Sequence, residues 1–219
     1  MLLSMRPIFL LTAMLSVPSY AQHAAEAAGP SPDMALKMLL DGNQRYVAGR
    51  LARPHQDITR RVEIAKGQAP FAAVLSCADS RVPPEMVFDE GLGDLFTVRV
   101  AGNVATDDVV ASLEYAVAHT GAKLILVLGH ERCGAVDATL TGVSEGHLSA
   151  LIDRIKPAAL AVKSKPGDTL ELAIRQNVVN VVKQLQTTQP ILAQRAASGA
   201  IKIMGARYDL DRGVVEILK

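Results

Sequence analysis

The chain is 219 residues long, enough for a single domain with a sizeable core. Its 23 Lys and Arg nearly cancel 22 Asp and Glu, and no basic run occurs, which excludes electrostatic capture of nucleic acid. With four Phe, four Tyr and no Trp it also lacks a stacking platform for bases or sugars.

Residues 1–21 read as a secretory signal peptide. Arg6 supplies the positive start, Ile8 to Val17 an apolar stretch, and Ser19-Tyr20-Ala21 a small-x-small cleavage site. An apolar stretch of about ten residues is half of what a bilayer span requires. No later segment approaches that length, so no membrane attachment is expected after cleavage. The mature protein is expected in the periplasm of a Gram-negative source, or secreted from any other. Residues 22–30, rich in Ala with Gly and Pro, form a disordered lead-in, and 31–219 a single domain.

Ser31-Pro32 reads as an N-cap and first helical position, followed by Ala35, Met38, Leu39 and Tyr46 at helical spacing. A short helix is expected over 57–66, then a buried strand from Phe71 to Ser76 and a loop through Pro83-Pro84. The next strand covers about 95–100 and ends at Gly102-Asn103. Thr106 is expected to cap the following helix, whose buried stripe is Val109, Val110, Leu113, Ala116 and Val117 and which Gly121 stops. The apolar run 123–129 is a third strand. Helices are expected over about 147–163 and 169–187, the second with a capping box of Asp168 and Glu171. Two closing strands, 201–208 and 214–218, are joined by a turn at Asp211-Arg212-Gly213. The fold class is therefore α/β: a mostly parallel central sheet with an antiparallel edge strand and helices on both faces.

Two strand ends carry the chemistry. Cys77-Ala78-Asp79-Ser80-Arg81 follows the first strand, and His130-Glu131-Arg132-Cys133-Gly134 follows the third. Carboxyl ends of parallel strands form the ligand-binding edge of such a sheet. Cys77, His130 and Cys133 could there supply two thiolates and one imidazole, leaving a tetrahedral Zn²⁺ with an open fourth position, the mark of a catalytic zinc. The competing reading is a Cys77–Cys133 disulfide, which export favours. A disulfide has no need of His130, nor of a carboxylate and guanidinium at Asp79 and Arg81. His23, His55, His119 and His147 lack partners at metal spacing and read as surface or packing residues.

Cys77-x-Asp79-x-Arg81 with His130-x-x-Cys133-Gly134 resembles the zinc signature of the β-class carbonic anhydrases. The likeness extends to Gly67-Gln68-Ala69-Pro70, Gly93-Asp94-Leu95-Phe96, Arg99-Val100-Ala101-Gly102-Asn103 and Glu114-Tyr115-Ala116-Val117. It implies one Zn²⁺ per subunit and reversible hydration of carbon dioxide to bicarbonate. Asp79 would either pair with Arg81 and orient the attacking oxygen, or ligate the metal itself. Gln68 matches a substrate-side glutamine. Phe96, Ala101 and Tyr115 match an apolar carbon dioxide pocket, Tyr115 from across a dimer interface, although each also fits ordinary core packing. Gly134 could present a backbone N–H to substrate, or simply begin a helix. The first helices precede every strand, and the resemblance implies that they wrap a second subunit in a homodimer or dimer of dimers. Some family members carry a regulatory tryptophan three residues before the first cysteine, where this chain has Val74. Two alternatives stay open: a hydrolase of carbon disulfide or carbonyl sulfide on the same scaffold, and a non-enzymatic secreted binding module held by the disulfide.

Overall fold

A computed structural model describes residues 29–143 and 145–218. The expected signal peptide lies outside them, as does the lead-in apart from Gly29 and Pro30; the Gly29 carbonyl accepts a hydrogen bond from Lys123 Nζ at 3.2 Å. No helix among the described residues is long and apolar enough to cross a membrane.

Helix α1 (Pro32–Val47) begins as its sequence dictates, with the Ser31 hydroxyl accepting from the Met34 N–H at 3.2 Å. Asp57 caps α2 (Ile58–Ile64) in the same way, through Arg60 N–H. Strand β1 (Ala72–Ser76) follows, then α3 (Pro84–Val87), β2 (Leu95–Arg99), α4 (Asp107–His119) and β3 (Leu124–His130). The second half holds α5 (Gly134–Thr141), α6 (Ser149–Val162), α7 (Thr169–Thr187), α8 (Ile191–Ala197), β4 (Lys202–Tyr208) and β5 (Val215–Leu218). The strands form one sheet in the order β2-β1-β3-β4-β5, parallel except for the β4–β5 edge pair.

Strands β1 and β3 are buried along their whole length, which explains their near-continuous apolar sequences. Alternate side chains serve opposite faces. Ala73, Leu75, Ile125 and Val127 pack with Leu113, Val178 and Leu192 of α4, α7 and α8. Ala72, Val74, Leu124, Leu126 and Leu128 pack on the other side with Ala35 and Leu39 of α1 and with Phe88.

Several local expectations are corrected. Helices α3 and α8 were not expected, and α5 only through Gly134 as a possible helix start; each is eight residues or fewer, too short for a periodic stripe to stand out. Thr106 occupies the N-cap of α4 without a side-chain hydrogen bond. Asp168 accepts from the N–H groups of Leu170 and Glu171, but the Glu171 carboxylate bonds Arg175 and Arg207, so only half of the capping box forms.

Helix α1 also finds a strand surface in its own chain. Ala35 and Leu39 are fully buried there. Asn43 pins the helix by donating to the carbonyls of Val87 and Gly213 and accepting from Val215 N–H, at 2.8–3.0 Å. The approach depends on Gly42, where a Cβ would lie 1.7 Å from the Phe88 carbonyl oxygen. Gly42→Ala is therefore expected to cost about 3 kcal/mol or more, the upper end for overpacking. Gly67→Ala, with nothing within 4 Å, should stay within about 0.5 kcal/mol. Urea denaturation of the two variants checks this, and equal midpoints would contradict the packing described.

Candidate active site

Pairing of β1 with β3 sets Ser76 level with Leu128, so both strands end at one edge of the sheet. Cys77 is the next residue after β1, His130 is the last of β3, and Cys133 is the N-cap of α5. All three are buried, and their ligand atoms lie within 4.8 Å of one another. Val104, Val136, Ile155, Val162 and Ile174 surround them with apolar side chains. Both cysteines are free thiols, so the disulfide reading is not realised.

Each ligand is held from outside. Arg99, at the end of β2, donates from Nε to the Cys77 carbonyl at 3.1 Å and from Nη2 to the Asp79 carbonyl at 2.6 Å, clamping the loop. The Gly102 N–H points at Cys77 Sγ at 3.3 Å. Gly102 adopts φ 71°, and a Cβ there would meet Ile155 at 2.6 Å, so glycine is required twice over. Asn177 on α7 fixes the same turn by donating to the Gly102 carbonyl at 2.8 Å. These roles of Arg99 and Asn177 were not read from the sequence. Arg99 stood inside a quoted motif, whereas Asn177 carried no local signal.

His130 Nδ1 lies 2.8 Å from the Glu131 carbonyl. A carbonyl only accepts, so Nδ1 carries the hydrogen, and in the neutral ring Nε2 presents a lone pair. That atom is fully buried without a hydrogen-bond partner. An orphaned buried acceptor facing two sulfurs is costly on its own and satisfied by a cation. Two sulfurs and one imidazole nitrogen suit zinc.

The thiols behave as a pair. Hydrogen bonding from Cys133 draws the Cys77 thiol well below its ordinary range against the effect of burial, helped by His130 and the backbone of Gly102 and Asp79. Cys77 itself and burial push Cys133 up, opposed by the backbone of Val136 and Ala135 at the start of α5. A second anion beside the first is disfavoured unless a cation joins them.

Asp79 stands at the rim. Its Oδ1 accepts from Arg81 Nε at 2.9 Å and from Arg81 N–H at 3.0 Å, and its Oδ2 accepts from Arg81 Nη2 at 2.7 Å. Hydrogen bonds from the Arg81 side chain hold its carboxyl well below the usual carboxylate range, so it is ionised at neutral pH. Of the two arrangements open from sequence, the structure holds the Arg81-paired one. Oδ2 nonetheless comes within 3.7 Å of His130 Nε2, at the mouth of the ligand cluster.

The remaining predicted residues divide between two edges. Ala101 follows β2 in a 3-10 turn, and Gly134 opens α5, both beside the cluster. Gln68 is exposed in the loop leading into the other end of β1. Phe96 is paired with Ala73 near that same end and touches Tyr115, with ring centroids 6.1 Å apart. Val74 is fully buried in the sheet.

A carbonic anhydrase family model matches residues 72–215. A carbonic anhydrase of Mycolicibacterium smegmatis is 41% identical over 192 residues, spanning 85% of this chain and 93% of that one. Carbonic anhydrase 2 of Mycobacterium tuberculosis is 39% identical over 188 residues, spanning 84% and 91%. Among solved structures, the Coccomyxa β-carbonic anhydrase in complex with acetazolamide superposes with a TM-score of 0.67 at 29% identity, covering 84% of this chain and 86% of that one. The tetrameric β-carbonic anhydrases of Sordaria macrospora give 0.67 at 26% identity, covering 84% and 97%. Sequence and overall fold thus agree, and the chain, which carries a buried Cys–His–Cys cluster, belongs to the β-carbonic anhydrases and is a carbonic anhydrase enzyme.

Proposed function

We propose that the chain uses one zinc ion per subunit, held by Cys77, His130 and Cys133, to hydrate carbon dioxide reversibly to bicarbonate and a proton. The observation that carries this reading is the buried, unpartnered His130 Nε2 set among two thiols beside an ionised Asp79. When bound, zinc would lower the pKa of a coordinated water to about 7, which makes hydroxide available at neutral pH.

The protein residues supply orientation. Asp79 is acceptor-only when ionised, so at the mouth of the cluster it would accept a hydrogen bond from the attacking oxygen and turn its lone pair outward. Arg81 keeps Asp79 from the metal by occupying both carboxylate oxygens. The exposed start of α5 at Gly134 leaves an N–H for a product oxygen, and Ala101 adds a small apolar wall. Gln68, Phe96 and Tyr115 complete the substrate pocket from a second copy, in a homodimer or dimer of dimers. Their position toward the opposite edge of the sheet supports this division, as does the exposure of Ile58 (70%), Val62 (60%), Met86 (63%) and Tyr115 (48%). Residues 1–21 support export, and we place the mature enzyme in the periplasm, free of the membrane.

Purified protein is expected to hold about one zinc per chain, and Cys133→Ser to lose both zinc and activity. Chelation should also lower the melting temperature, since ligands assembled only by folding couple metal binding to stability. Fully active, metal-free protein would overturn the reading.

Asp79→Asn should retain zinc yet lose about ten- to ten-thousand-fold in turnover, the range for a positioned acid–base group. Arg81→Ala frees the carboxylate to compete for the open position and should also slow turnover with zinc content unchanged. Wild-type rates in both variants, measured by stopped-flow with an indicator, would reduce the pair to a surface ion pair.

Shared sites are tested by complementation. Neither Gln68→Ala nor Cys133→Ser chains should be fully active alone, but co-expressed mixed dimers should regain activity, because one of their two sites is intact. Mixed dimers verified by mass that gain nothing would assign Gln68 to its own subunit.

A further inference from the structure

Among the described residues Arg207 is the only buried arginine, and the proposed chemistry does not use it. It lies on β4 next to Tyr208, the residue level with His130 in the β3–β4 register. Its Nη2 donates to Glu131 Oε1, and its Nε lies 2.8 Å from Glu171 Oε1 on α7. The other Glu131 oxygen accepts from Leu210 N–H at 2.9 Å, and the Glu131 N–H donates to the Tyr208 carbonyl at 3.1 Å. Glu131 is therefore tied to β4 and the turn after it by its N–H and by both carboxylate oxygens. Its one remaining polar group, the carbonyl, accepts from His130 Nδ1 at 2.8 Å.

That carbonyl decides which ring nitrogen carries the hydrogen and where the other nitrogen points. Outer partners of a ligating histidine set its tautomer, its ring orientation and its basicity. The acids around Arg207 are themselves not a metal site: Glu131, Asp209 and Asp211 come close together, but each already bonds an arginine, Arg207, Arg212 and Arg132 respectively.

Building on the zinc reading above, we infer that Arg207, through its ion pair with Glu131, is a positioning residue for the metal-facing nitrogen of His130. Without the guanidinium, the Glu131 carboxylate loses its closer charge partner and keeps only Arg132, whose Nη2 lies 3.9 Å from Oε2 on the exposed side; it turns outward, and the Glu131 peptide turns with it. His130 then loses the acceptor that fixes its ring.

The test measures zinc affinity of metal-free protein by chelator competition, together with far-UV circular dichroism and the thermal midpoint of each metal-free variant. Arg207→Met keeps the apolar stem and removes the fork; it is expected to bind zinc about 10–100-fold more weakly while folded. Arg207→Lys, which keeps the charge, should recover part of that loss. Arg175→Ala is the control: Arg175 joins the same network through Glu171 and Glu216 but does not bond Glu131. It should lower the thermal midpoint and leave zinc affinity within about two-fold of wild type. Wild-type affinity in folded Arg207→Met, or an equal loss in Arg175→Ala, overturns the inference. If Arg207→Met does not fold, Glu131→Gln is judged by the same criterion. Failure of wild-type protein to bind zinc would sink the metal reading instead, so the two failures are distinguishable.

Discussion

The parallel pairing of β1 with β3, from Ala73 opposite Ile125 to Ser76 opposite Leu128, is the constraint on which the rest depends. Both strands bury both faces, so a slip of one residue would send every side chain of one strand to the wrong core. The register that packs the apolar side chains is therefore the register that brings Cys77 level with the end of β3. Helix α7 reinforces it from one side: a Cβ at Gly129 or Gly205 would meet Val178 at 2.6 or 2.7 Å, so the helix lies directly on the strands that deliver His130 and Arg207. Packing energy spread over the sheet thus holds a small cluster of polar atoms that has no reason to assemble by itself.

Charge is arranged in two zones around that cluster. Inside, sulfur and imidazole sit in apolar surroundings where an unpartnered lone pair is expensive and a cation is strongly favoured. At the rim, Asp79 and Arg81 form a compact pair that stays wet on one side and reaches the cluster on the other. The backbone near the cluster is strained at Asn103 and Arg132, which adopt positive φ beside the unstrained Gly102. Such conformations persist only when their surroundings over-determine them. Arg99, Asn177 and the Arg132–Asp211 pair provide that fixation.

On the proposed reading, one chain supplies the metal ligands but only part of a substrate wall. Its other candidate wall residues lie toward the far edge of the sheet, and α2 and α3 carry exposed apolar side chains. On the proposed reading a second copy brings that edge against the cluster. Helix α1 would then belong to both contexts, since it already rests on its own sheet through Ala35, Leu39 and Asn43.

Much of this was legible in the chain before any fold was known, and for local reasons. A strand buried on both faces must be apolar throughout, so β1 and β3 announce themselves; a helix cap needs one side chain and a neighbouring N–H, so Ser31 and Asp168 are readable where they stand. Thiols, an imidazole and an acid–base pair at two strand ends name their chemistry by residue type alone. Where a local rule failed, a distant group had intervened. Glu171 leaves its capping box because Arg175 and Arg207 claim its carboxylate. Short helices such as α3 and α5 have no stripe of their own and form only against what surrounds them. The sequence by itself determined which atoms could bind a metal and which segments would be strands. Only the tertiary structure decided that Asp79 rests on Arg81, that His130 Nε2 is left bare, and that Arg207 reaches Glu131 across 76 positions of chain. These are choices among partners, and a side chain's partners are set by sheet register and helix docking, which no stretch of sequence encodes locally.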